Sequence, residues 1–339
     1  MLKDTNDKPE SRAEESLVAP LSVSVLIPTW NGRDLLRACL DSLMQQTHRD
    51  FEVVVAENGS VDGTRDMLQQ EYPWVRVVAL DRNLGFARGV RAAFDVATGN
   101  LIVLLNNDTE AAPTWLEELV AAAHGHPTAA SFACKILLYQ DRSRLHSAGD
   151  YYGCDGVPGN RGVWEQDGPD YSERGWVFGA QGAACAYRRS LLDTIGFFDE
   201  DLVSYCEDVD LNWRANLRGF RCLYVPEAQV FHHVSATGGG ALASYYCGRN
   251  FIAVAVKDVP GHFWRRYWRR IIGQQLAITV EALRNFRGEA ARARLRGQLA
   301  GIALIPSMLR KRREIQGQIT TDLAKIEELM GPWILPLRQ

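Results

Sequence analysis

Short apolar runs alternate with segments of helical periodicity over the first third of the chain. Four runs have the length and continuity of strands buried on both faces, at 23–27, 51–55, 75–80 and 101–105. Helical spacing of apolar residues predicts helices between and after them, over 35–44, 87–97 and 113–124. Strands that alternate with helices in this way predict an α/β fold with a doubly wound, mainly parallel sheet.

The segment 139–180 interrupts this pattern, because it is rich in Gly, Asp, Tyr and Arg and lacks clear periodicity. It is too long for an inert connection, and we interpret it as a substrate-facing or mobile segment. Regular patterns then return, with a strand at 183–187, a helix from about 207 to 217, and a strand at 221–225 that Pro226 ends.

Composition is that of an ordinary folded protein: 339 residues, 46% hydrophobic and 23% charged. The formal charge of −3 hides an asymmetry. Residues 261–339 hold 15 Lys+Arg and 6 Asp+Glu, or +9, which leaves −12 for residues 1–260. We therefore expect the two parts to meet different partners.

The seven cysteines lie far apart and form no C-x-x-C pair, so neither a zinc ribbon nor a disulfide framework is indicated. A reducing cytosol fits this usage best. The N-terminus lacks the apolar core of a signal peptide, and no stretch reaches the roughly 18 apolar residues of a membrane span. We expect a cytoplasmic protein.

The domain organisation follows from these patterns. Residues 1–20 predict a flexible tail, and Gly238-Gly239-Gly240 predicts a hinge before a helical, basic C-terminal region at 241–339. Between them the α/β pattern predicts one domain over 21–240, with a division at about 110.

Polar residues directly follow three of the predicted strands, at 28–31, 57–64 and 106–109. Ligands of open α/β sheets bind beyond the carboxyl ends of the strands, so these residues should converge on one crevice. The crevice lacks a P-loop and a G-x-G-x-x-G motif. Asp108 at a strand end can instead hold Mg²⁺ or Mn²⁺ together with substrate phosphates, which suggests a metal-bridged diphosphate. The alternative is that Asp108 caps the helix that opens near Pro113.

Six motifs occur in a specific order: VSVLIPTWN (23–31), ENGSVDGT (57–64), NLGFARG (83–89), LLNNDT (104–109), GFFDEDLVSYCEDVDLNWR (196–214) and FHHVSATGGG (231–240). This series resembles the inverting family 2 glycosyltransferases of the GT-A fold, in particular the rhamnosyltransferase-like bacterial branch. The resemblance covers about residues 21–250. It implies a GT-A-type doubly wound sheet with a helical basic C-terminal extension. Residues 21–240 would then be the catalytic domain, with a nucleotide-binding half at about 21–110 and an acceptor-binding half at about 111–240.

The resemblance also implies donor-binding roles, beginning with a nucleotide wall formed by Pro28, Thr29, Trp30 and Asn31. Glu57 would accept a hydrogen bond from the base, although most relatives carry Asp there. Asn83 and Arg88 fall in a segment that touches the nucleotide, and turn or surface roles are the alternative. Asn107 replaces the commoner acidic residue; it can bind ribose but is a poor metal ligand.

A second acidic motif, Glu207-Asp208-Val209-Asp210, opens a predicted helix. A helix N-terminus stabilises an ionised carboxylate, the form that a general base requires. The resemblance assigns the base to Asp208 and a positioning role to Glu207; N-terminal capping is the alternative. On a helix Asp208 and Asp210 diverge by about 200°, so both cannot face the crevice.

Two adjacent histidines follow the last predicted strand. Related enzymes can place a histidine on the metal or the diphosphate, and by register His232 is the first choice and His233 the second. Neutral imidazole can bind a divalent cation, while imidazolium can pair with phosphate. A satisfied structural histidine is the alternative.

The basic C-terminal region contains a predicted amphipathic helix with Trp264, Tyr267, Trp268, Ile271 and Ile272 on one face and most arginines on the other. Together with the basic cluster at 310–313, this pattern predicts contact of residues 263–313 with an anionic membrane. The alternative is a helix packed on the catalytic domain or on a second copy of the chain, as in a homodimer. We expect no nucleic-acid partner, because the catalytic part is acidic and carries no nucleic-acid motif.

These observations favour a metal-dependent, inverting glycosyltransferase at the inner face of the cell membrane. Its partners would be a dTDP-, UDP- or GDP-sugar, with rhamnose the leading choice, and a glycan or a polyprenyl-diphosphate-linked acceptor. Two other classes remain open: a sugar-nucleotide pyrophosphorylase and a non-catalytic sugar-nucleotide-binding or scaffold protein.

Overall fold

The computed structural model describes residues 21–234, 239–331 and 335–337. The predicted tail at 1–20 and Gly238 of the predicted hinge lie outside them. The strands are β1 Val23–Thr29, β2 Phe51–Glu57, β3 Arg76–Ala79, β4 Leu101–Leu105, β5 Thr109–Ala111, β6 Ala129–Leu138, β7 Leu145–Ser147, β8 Asp150–Tyr152, β9 Pro158–Asn160, β10 Gly175–Val177, β11 Ala184–Arg188, β12 Arg221–His232 and β13 Leu335–Pro336. The helices are α1 Arg33–Met44, α2 Thr64–Glu71, α3 Phe86–Phe94, α4 Trp115–Gly125, α5 Arg189–Ile195, α6 Glu207–Leu217, α7 Gly240–Lys257, α8 Gly261–Arg284, α9 Glu289–Gly317 and α10 Leu323–Leu329.

A central sheet organises the catalytic part, in the order β13-β10-β12-β6-β11-β4-β1-β2-β3, with β5 beside β12 and β7 beside β6. The N-terminal strands β4, β1, β2 and β3 are all parallel, as the alternating pattern predicts. β12 is parallel to β6, whereas β11 runs antiparallel to both β4 and β6. The sheet is therefore mostly parallel, and the predicted α/β class is confirmed.

Helices cover both faces of this sheet, which explains why its strands are apolar without alternation. One face packs on α1 and α4 through buried side chains such as Leu40 and Trp115. The other face packs on α3 and α5, for example through Val90 and Leu191. The strand ends are consequently the places where polar side chains gather.

Strand β12 is longer than the sequence predicts. Pro226 was expected to end it, but the strand continues to His232 after a register shift between Val225 and Gln229. Proline lacks a backbone donor, and an irregularity of this kind accommodates it within a strand. The extension carries His232 to the edge where β5 pairs with it. β1 likewise continues beyond its predicted end, through Pro28 to Thr29.

The segment 139–180 contains four strands of three residues each, β7 to β10. Its anchors are long-range polar contacts: the buried Lys135 pairs with Asp167 at 2.8 Å, and the buried Arg161 donates to the carbonyls of Ala148 and Asp170. Such short strands have no periodicity of their own, so the sequence alone did not predict them.

The C-terminal region is helical, as predicted, but α8 does not present the predicted apolar face as one surface. Ile271 is buried, and Trp264 and Tyr267 pack on a third core with α6 and α7. Trp268 and Ile272 remain exposed, at 50% and 45%. The expectation of a single face was wrong because the catalytic domain covers one side of the helix. Among the described residues, no helix is long and apolar enough to cross a membrane.

Candidate active site

The end of β1 and the turn after β4 are joined by one buried hydrogen bond. Asn107 Nδ2 donates to Thr29 Oγ1 at 2.9 Å, and both residues are buried. Pro28 is buried beside them, while Trp30 is 45% exposed at the rim. This contact brings two of the three predicted strand ends together.

Asn31 joins the end of β1 to the end of β2. Its N–H donates to Ser60 Oγ and its Oδ1 accepts from the N–H of Val61, both at 2.9 Å. Its φ of 49° lies in the left-handed region, which asparagine tolerates better than most residues. All three predicted strand ends therefore line one edge of the sheet.

Glu57 is fully buried at the end of β2, and its carboxylate is already paired. Oε1 accepts from the N–H of Ser60, and Oε2 accepts from Arg65 Nε at 2.9 Å. Arg65 itself is half-exposed. In this arrangement Glu57 fixes a guanidinium at the rim, a partner that the sequence reading missed.

Asn83 and Arg88 take roles that match the alternatives left open by the sequence. Asn83 Oδ1 accepts from the N–H of Gly85 at 2.8 Å, which closes a local turn. Arg88 is half-exposed and pairs with Glu200 at 3.0 Å. Asn83 thereby shapes the NLGFARG segment, and Arg88 holds it against the loop that precedes α6.

Three side chains lie in a row, within hydrogen-bonding distance of one another, at the position predicted for the metal. His232 Nε2 lies 3.1 Å from Asp108 Oδ1, and His232 Nδ1 lies 3.0 Å from His146 Nδ1. Asp108 and His232 are buried. The structure thus brings together the two residues predicted for the metal and adds His146 from β7, which no sequence pattern indicated.

His146 is neutral at physiological pH. Burial, followed by the neighbouring His232, lowers the pKa of its imidazole to about 3. Of the two facing Nδ1 atoms, one must therefore donate a proton and the other accept it. The pair fixes the orientation of the His232 ring.

His233 lies on the other side of the backbone. Its ring stacks on Tyr139 at 3.7 Å between centroids, and its Nε2 lies 3.4 Å from Glu110 Oε1. Only its backbone N–H reaches Asp108, at the carbonyl oxygen. This geometry favours His232 over His233 for the predicted metal contact.

Asp108 and His232 suit a divalent cation whose remaining coordination positions are filled by a substrate. Within the described residues, no group of three or more His, Cys, Asp or Glu could hold a metal ion. Asp108 and His232 supply one oxygen and one nitrogen ligand position. Mg²⁺ and Mn²⁺ are commonly held by few protein ligands and completed by phosphate oxygens and water.

The second acidic centre begins α6. Asp208 Oδ2 accepts from the N–H of Gly182 and Oδ1 from the N–H of Val209, both at 2.8 Å. Asp208 retains partial exposure, whereas Glu207 is buried. Only Asp208 of this pair is therefore open to a substrate hydroxyl.

Three carboxyl groups near this helix N-terminus have raised pKa values. Burial raises the pKa of Asp208, against the opposing effect of its backbone donors. Burial and the charge of Asp208 raise the pKa of Glu207 well above its usual range, and its Oε2 has no hydrogen-bond partner among the described residues. The pKa of the buried Asp150, a residue that the sequence did not indicate, is raised well above its usual range in the same way. As pH falls, Glu207 and Asp150 are therefore protonated before Asp208.

Asp210 points away from this group, as the helical spacing predicts. It is fully buried and pairs with Arg214 and Lys257. Burial alone would raise its pKa, but the two cations lower it below the usual range. Asp210 is a structural ion-pair residue.

Two consecutive residues join the acidic centres. The N–H of Gly182 donates to Asp208, and the carbonyl of Ala183 accepts from the N–H of Asn106 at 2.8 Å, two residues before Asp108. Tyr205 lies within electrostatic reach of both sides: burial raises its pKa to about 12, and the nearby thiol of Cys247 and the charges of Glu207 and Asp108 act in the same direction. The two acidic centres therefore lie at the paired ends of β4 and β11.

Solved structures with this architecture are glycosyltransferases of the GT-A fold. GalNAc-T7 with UDP, GalNAc and Mn²⁺ matches with a TM-score of 0.57 and 18% identity, covering 70% of this chain and 48% of that one. The mannosyltransferase PcManGT from Pyrobaculum calidifontis, in complex with GDP-Man and Mn²⁺, matches with a TM-score of 0.52 and 17% identity over 89% and 84% of the two chains. These likenesses establish the fold.

The fold is that of the GT-A class. The model of the family "Glycosyl transferase family 2" matches residues 24–196, and the chain belongs to this family.

Two curated relatives each match more than half of this chain. An N-acetylglucosaminyl-diphospho-decaprenol L-rhamnosyltransferase of Mycobacterium tuberculosis is 28% identical over 279 residues, covering 75% of this chain and 90% of the relative. The O-antigen biosynthesis protein RfbC of Myxococcus xanthus is 31% identical over 226 residues. That match covers 63% of this chain but only 17% of the relative.

Proposed function

We propose that this glycosyltransferase moves a sugar from a nucleotide-diphosphate donor to a hydroxyl of a glycan or lipid-linked acceptor, with inversion at the anomeric carbon. One observation carries the proposal: the partly exposed Asp208 and the Asp108–His232 pair lie at the paired ends of β4 and β11, and Gly182 and Ala183 connect them. An inverting transfer requires a base and a leaving-group site at opposite ends of one reacting centre.

The reaction is a single displacement. Asp208 accepts the proton of the acceptor hydroxyl, and that oxygen forms a bond to the anomeric carbon. The bond from this carbon to the donor diphosphate breaks, and the diphosphate leaves with the electron pair. No covalent intermediate on the protein is required, so one base on the acceptor side suffices.

The residues around Asp208 suit it to this role. Burial raises its pKa, so it is a stronger base than an exposed aspartate. The N–H groups of Gly182 and Val209 hold its carboxylate in place. The pKa of Glu207, buried next to it, is raised well above its usual range by burial and by the charge of Asp208, so Asp208 is the acid of this pair that ionises first.

Asp108 and His232 would hold Mg²⁺ or Mn²⁺, which when bound neutralises charge on the departing diphosphate. Thr29 and Asn107, linked at 2.9 Å, provide a buried polar wall beside that position. Asn31, Glu57 with its partner Arg65, and the Asn83–Arg88 segment border the nucleotide side.

Rhamnose from a dTDP donor is the first choice of sugar, supported by the relative named an L-rhamnosyltransferase. The same name supports an acceptor carried on a polyprenyl diphosphate, which would place the enzyme peripherally at the inner face of the cell membrane. UDP- and GDP-sugars are the next donors to examine, because solved structures of this fold contain UDP and GDP-Man.

A donor screen tests this function. We expect one of the dTDP-, UDP- or GDP-sugars to raise the melting temperature in the presence of Mn²⁺ and to be consumed, with release of nucleoside diphosphate, when a lipid-linked acceptor is supplied. Release of pyrophosphate would identify a pyrophosphorylase instead. Donor binding without hydrolysis or transfer on any acceptor would identify a binding protein.

A further inference from the structure

An exposed apolar stripe runs along α8. Residues four or three positions apart lie on one side of a helix, and the stripe follows this spacing. Its members are Trp268 (50% exposed), Ile272 (45%), Leu276 (60%), Val280 (44%) and Leu283 (56%). Phe286, 55% exposed, lies just beyond the helix.

A second stripe lies on α9, with Leu299 (68% exposed), Ile302 (55%) and Leu309 (46%). The two helices meet at Gln298, whose side chain bonds to Thr279 at 3.1 Å and to the carbonyl of Gln275. On α8, Leu276 comes one residue after Gln275, and Val280 comes one residue after Thr279. On α9, Leu299 comes one residue after Gln298, and Ile302 comes one turn after it. Both stripes therefore lie on the same outer side of the α8–α9 pair, a surface we call the α8–α9 face.

This face is unusually apolar. Among the described residues, the face together with Phe286 holds nine of the seventeen large hydrophobic side chains that are exposed. Single exposed hydrophobics are ordinary, but a contiguous patch of this size marks an interaction surface. The exposed apolar side of α8 therefore differs from the one predicted for membrane contact. Trp264, Tyr267 and Ile271 pack inward, and the exposed stripe begins at Trp268.

Exposed arginines lie within one turn of the stripes or of Phe286, namely Arg265, Arg269, Arg284, Arg287, Arg296 and Arg310. The acid within α8 is Glu281, which points away from the stripe by the helical spacing. An apolar face with a basic rim complements acyl chains bordered by anionic phosphates. A second copy of the chain would instead bring two basic rims together.

We propose that the α8–α9 face docks on an anionic lipid bilayer. The apolar stripes would lie among the acyl chains near the headgroups, with the arginines at the phosphates. Docking depends on the two helices and not on the identity of the donor. Only its consequence, access of the crevice to a lipid-linked acceptor, rests on the proposed function.

Vesicle co-sedimentation of the full chain tests the proposal. We expect binding to vesicles that contain phosphatidylglycerol, weaker binding to pure phosphatidylcholine, and loss of binding as salt rises. The double variant Leu276→Ser/Leu299→Ser should bind at least about tenfold more weakly, because each serine removes apolar area that the bilayer would bury. Leu242→Ser, which removes an exposed leucine outside the face, is the matched control and should bind like the unmodified chain.

Equal, poor sedimentation with both vesicle types would overturn the proposal, and so would undiminished binding of the double variant. A dimer that this variant dissociates, without lipid binding by the unmodified chain, would assign the face to self-association. Mn²⁺-dependent donor binding by the same samples separates these outcomes from failure of the catalytic proposal, because the face lies outside the crevice.

Discussion

His146 and His232 face each other through their Nδ1 atoms, 3.0 Å apart, and the opposite nitrogen of His232 lies 3.1 Å from Asp108. The proton arrangement of one histidine therefore fixes that of the other. For Nε2 of His232 to present a lone pair to a cation, its Nδ1 must carry the proton and donate it to His146. His146 is thus a positioning residue for the proposed metal site.

Replacing His146 by Phe should weaken Mn²⁺-dependent binding of the donor nucleotide by about tenfold or more, as expected for loss of a partner that orients a ligand. Calorimetric titration of the nucleotide with and without Mn²⁺ measures this effect. His233→Phe is the matched control, because its ring contacts Tyr139 and Glu110 rather than His232. Unchanged affinity in His146→Phe would contradict the positioning role.

The pH dependence of transfer should reflect the raised pKa of Asp208. The base acts in its ionised form, so activity is present above this pKa and falls as pH drops through it. We expect the acid limb of kcat/KM to lie above about 3.9, the ordinary pKa of aspartate. Rates measured across the acid range, with circular dichroism to verify folding, check this. A flat profile down to that pH would contradict the assignment.

Glu207→Gln should leave this acid limb in place and retain most of kcat, because burial and the charge of Asp208 raise the pKa of Glu207 well above its usual range and so favour its neutral form. The neutral amide preserves its size and removes only the capacity to ionise. Steady-state kinetics over the same pH range compare the two proteins. A loss of transfer as large as that of an Asp208 variant would show that Glu207 is the base.

Lys257 neutralises two carboxylates, Asp199 and Asp210, in a buried ion-pair group behind α6. Lys257→Met should destabilise the protein by up to about 3–5 kcal/mol, because it removes the cation that two buried carboxylates share and leaves each of them with a single cationic partner, Arg214 for Asp210 and Lys311 for Asp199. Urea unfolding measures the change. Arg91→Met, which removes an exposed pair with Asp95, should cost less than about 1 kcal/mol. Similar values for both variants would contradict the ion-pair interpretation.

The ion-pair group of Lys257, Asp199 and Asp210 also makes the free energy of unfolding depend on pH. The pKa of Asp210 is lower in the folded state than in the unfolded state. The ionised Asp210 therefore contributes to stability above its pKa in the unfolded state, and this contribution is lost as pH falls toward its pKa in the folded state. In Lys257→Met this contribution should shrink, and the difference in free energy of unfolding between variant and parent should therefore decrease on acidification. An unchanged difference across the acid range would contradict this linkage.

The sequence predicted those parts of the site that follow from local order. Polar residues after parallel strands must meet at one edge of a sheet, which located Thr29, Glu57 and Asp108. The start of a helix located Asp208, and the spacing of 3.6 residues per turn correctly separated Asp210 from it.

Other contacts depend on tertiary structure that local patterns do not encode. His146 lies on a three-residue strand and meets His232 only because β6 pairs with both β7 and β12. Arg65 reaches Glu57 across a loop, and Lys257 reaches Asp210 from a helix 47 residues away in sequence. The sequence did not predict which apolar residues of α8 are exposed. Periodicity shows which residues share one face of a helix, but it does not show which part of that face another element covers.

The central claim is that Asp208 takes the acceptor proton opposite a diphosphate held near Asp108. The most direct measurement is donor affinity and transfer rate of Asp208→Asn beside those of the unmodified enzyme. We predict donor affinity within about twofold of the unmodified enzyme and a transfer rate lowered by at least about 10²-fold, the scale of general-base catalysis. Near-normal transfer by Asp208→Asn would contradict the account.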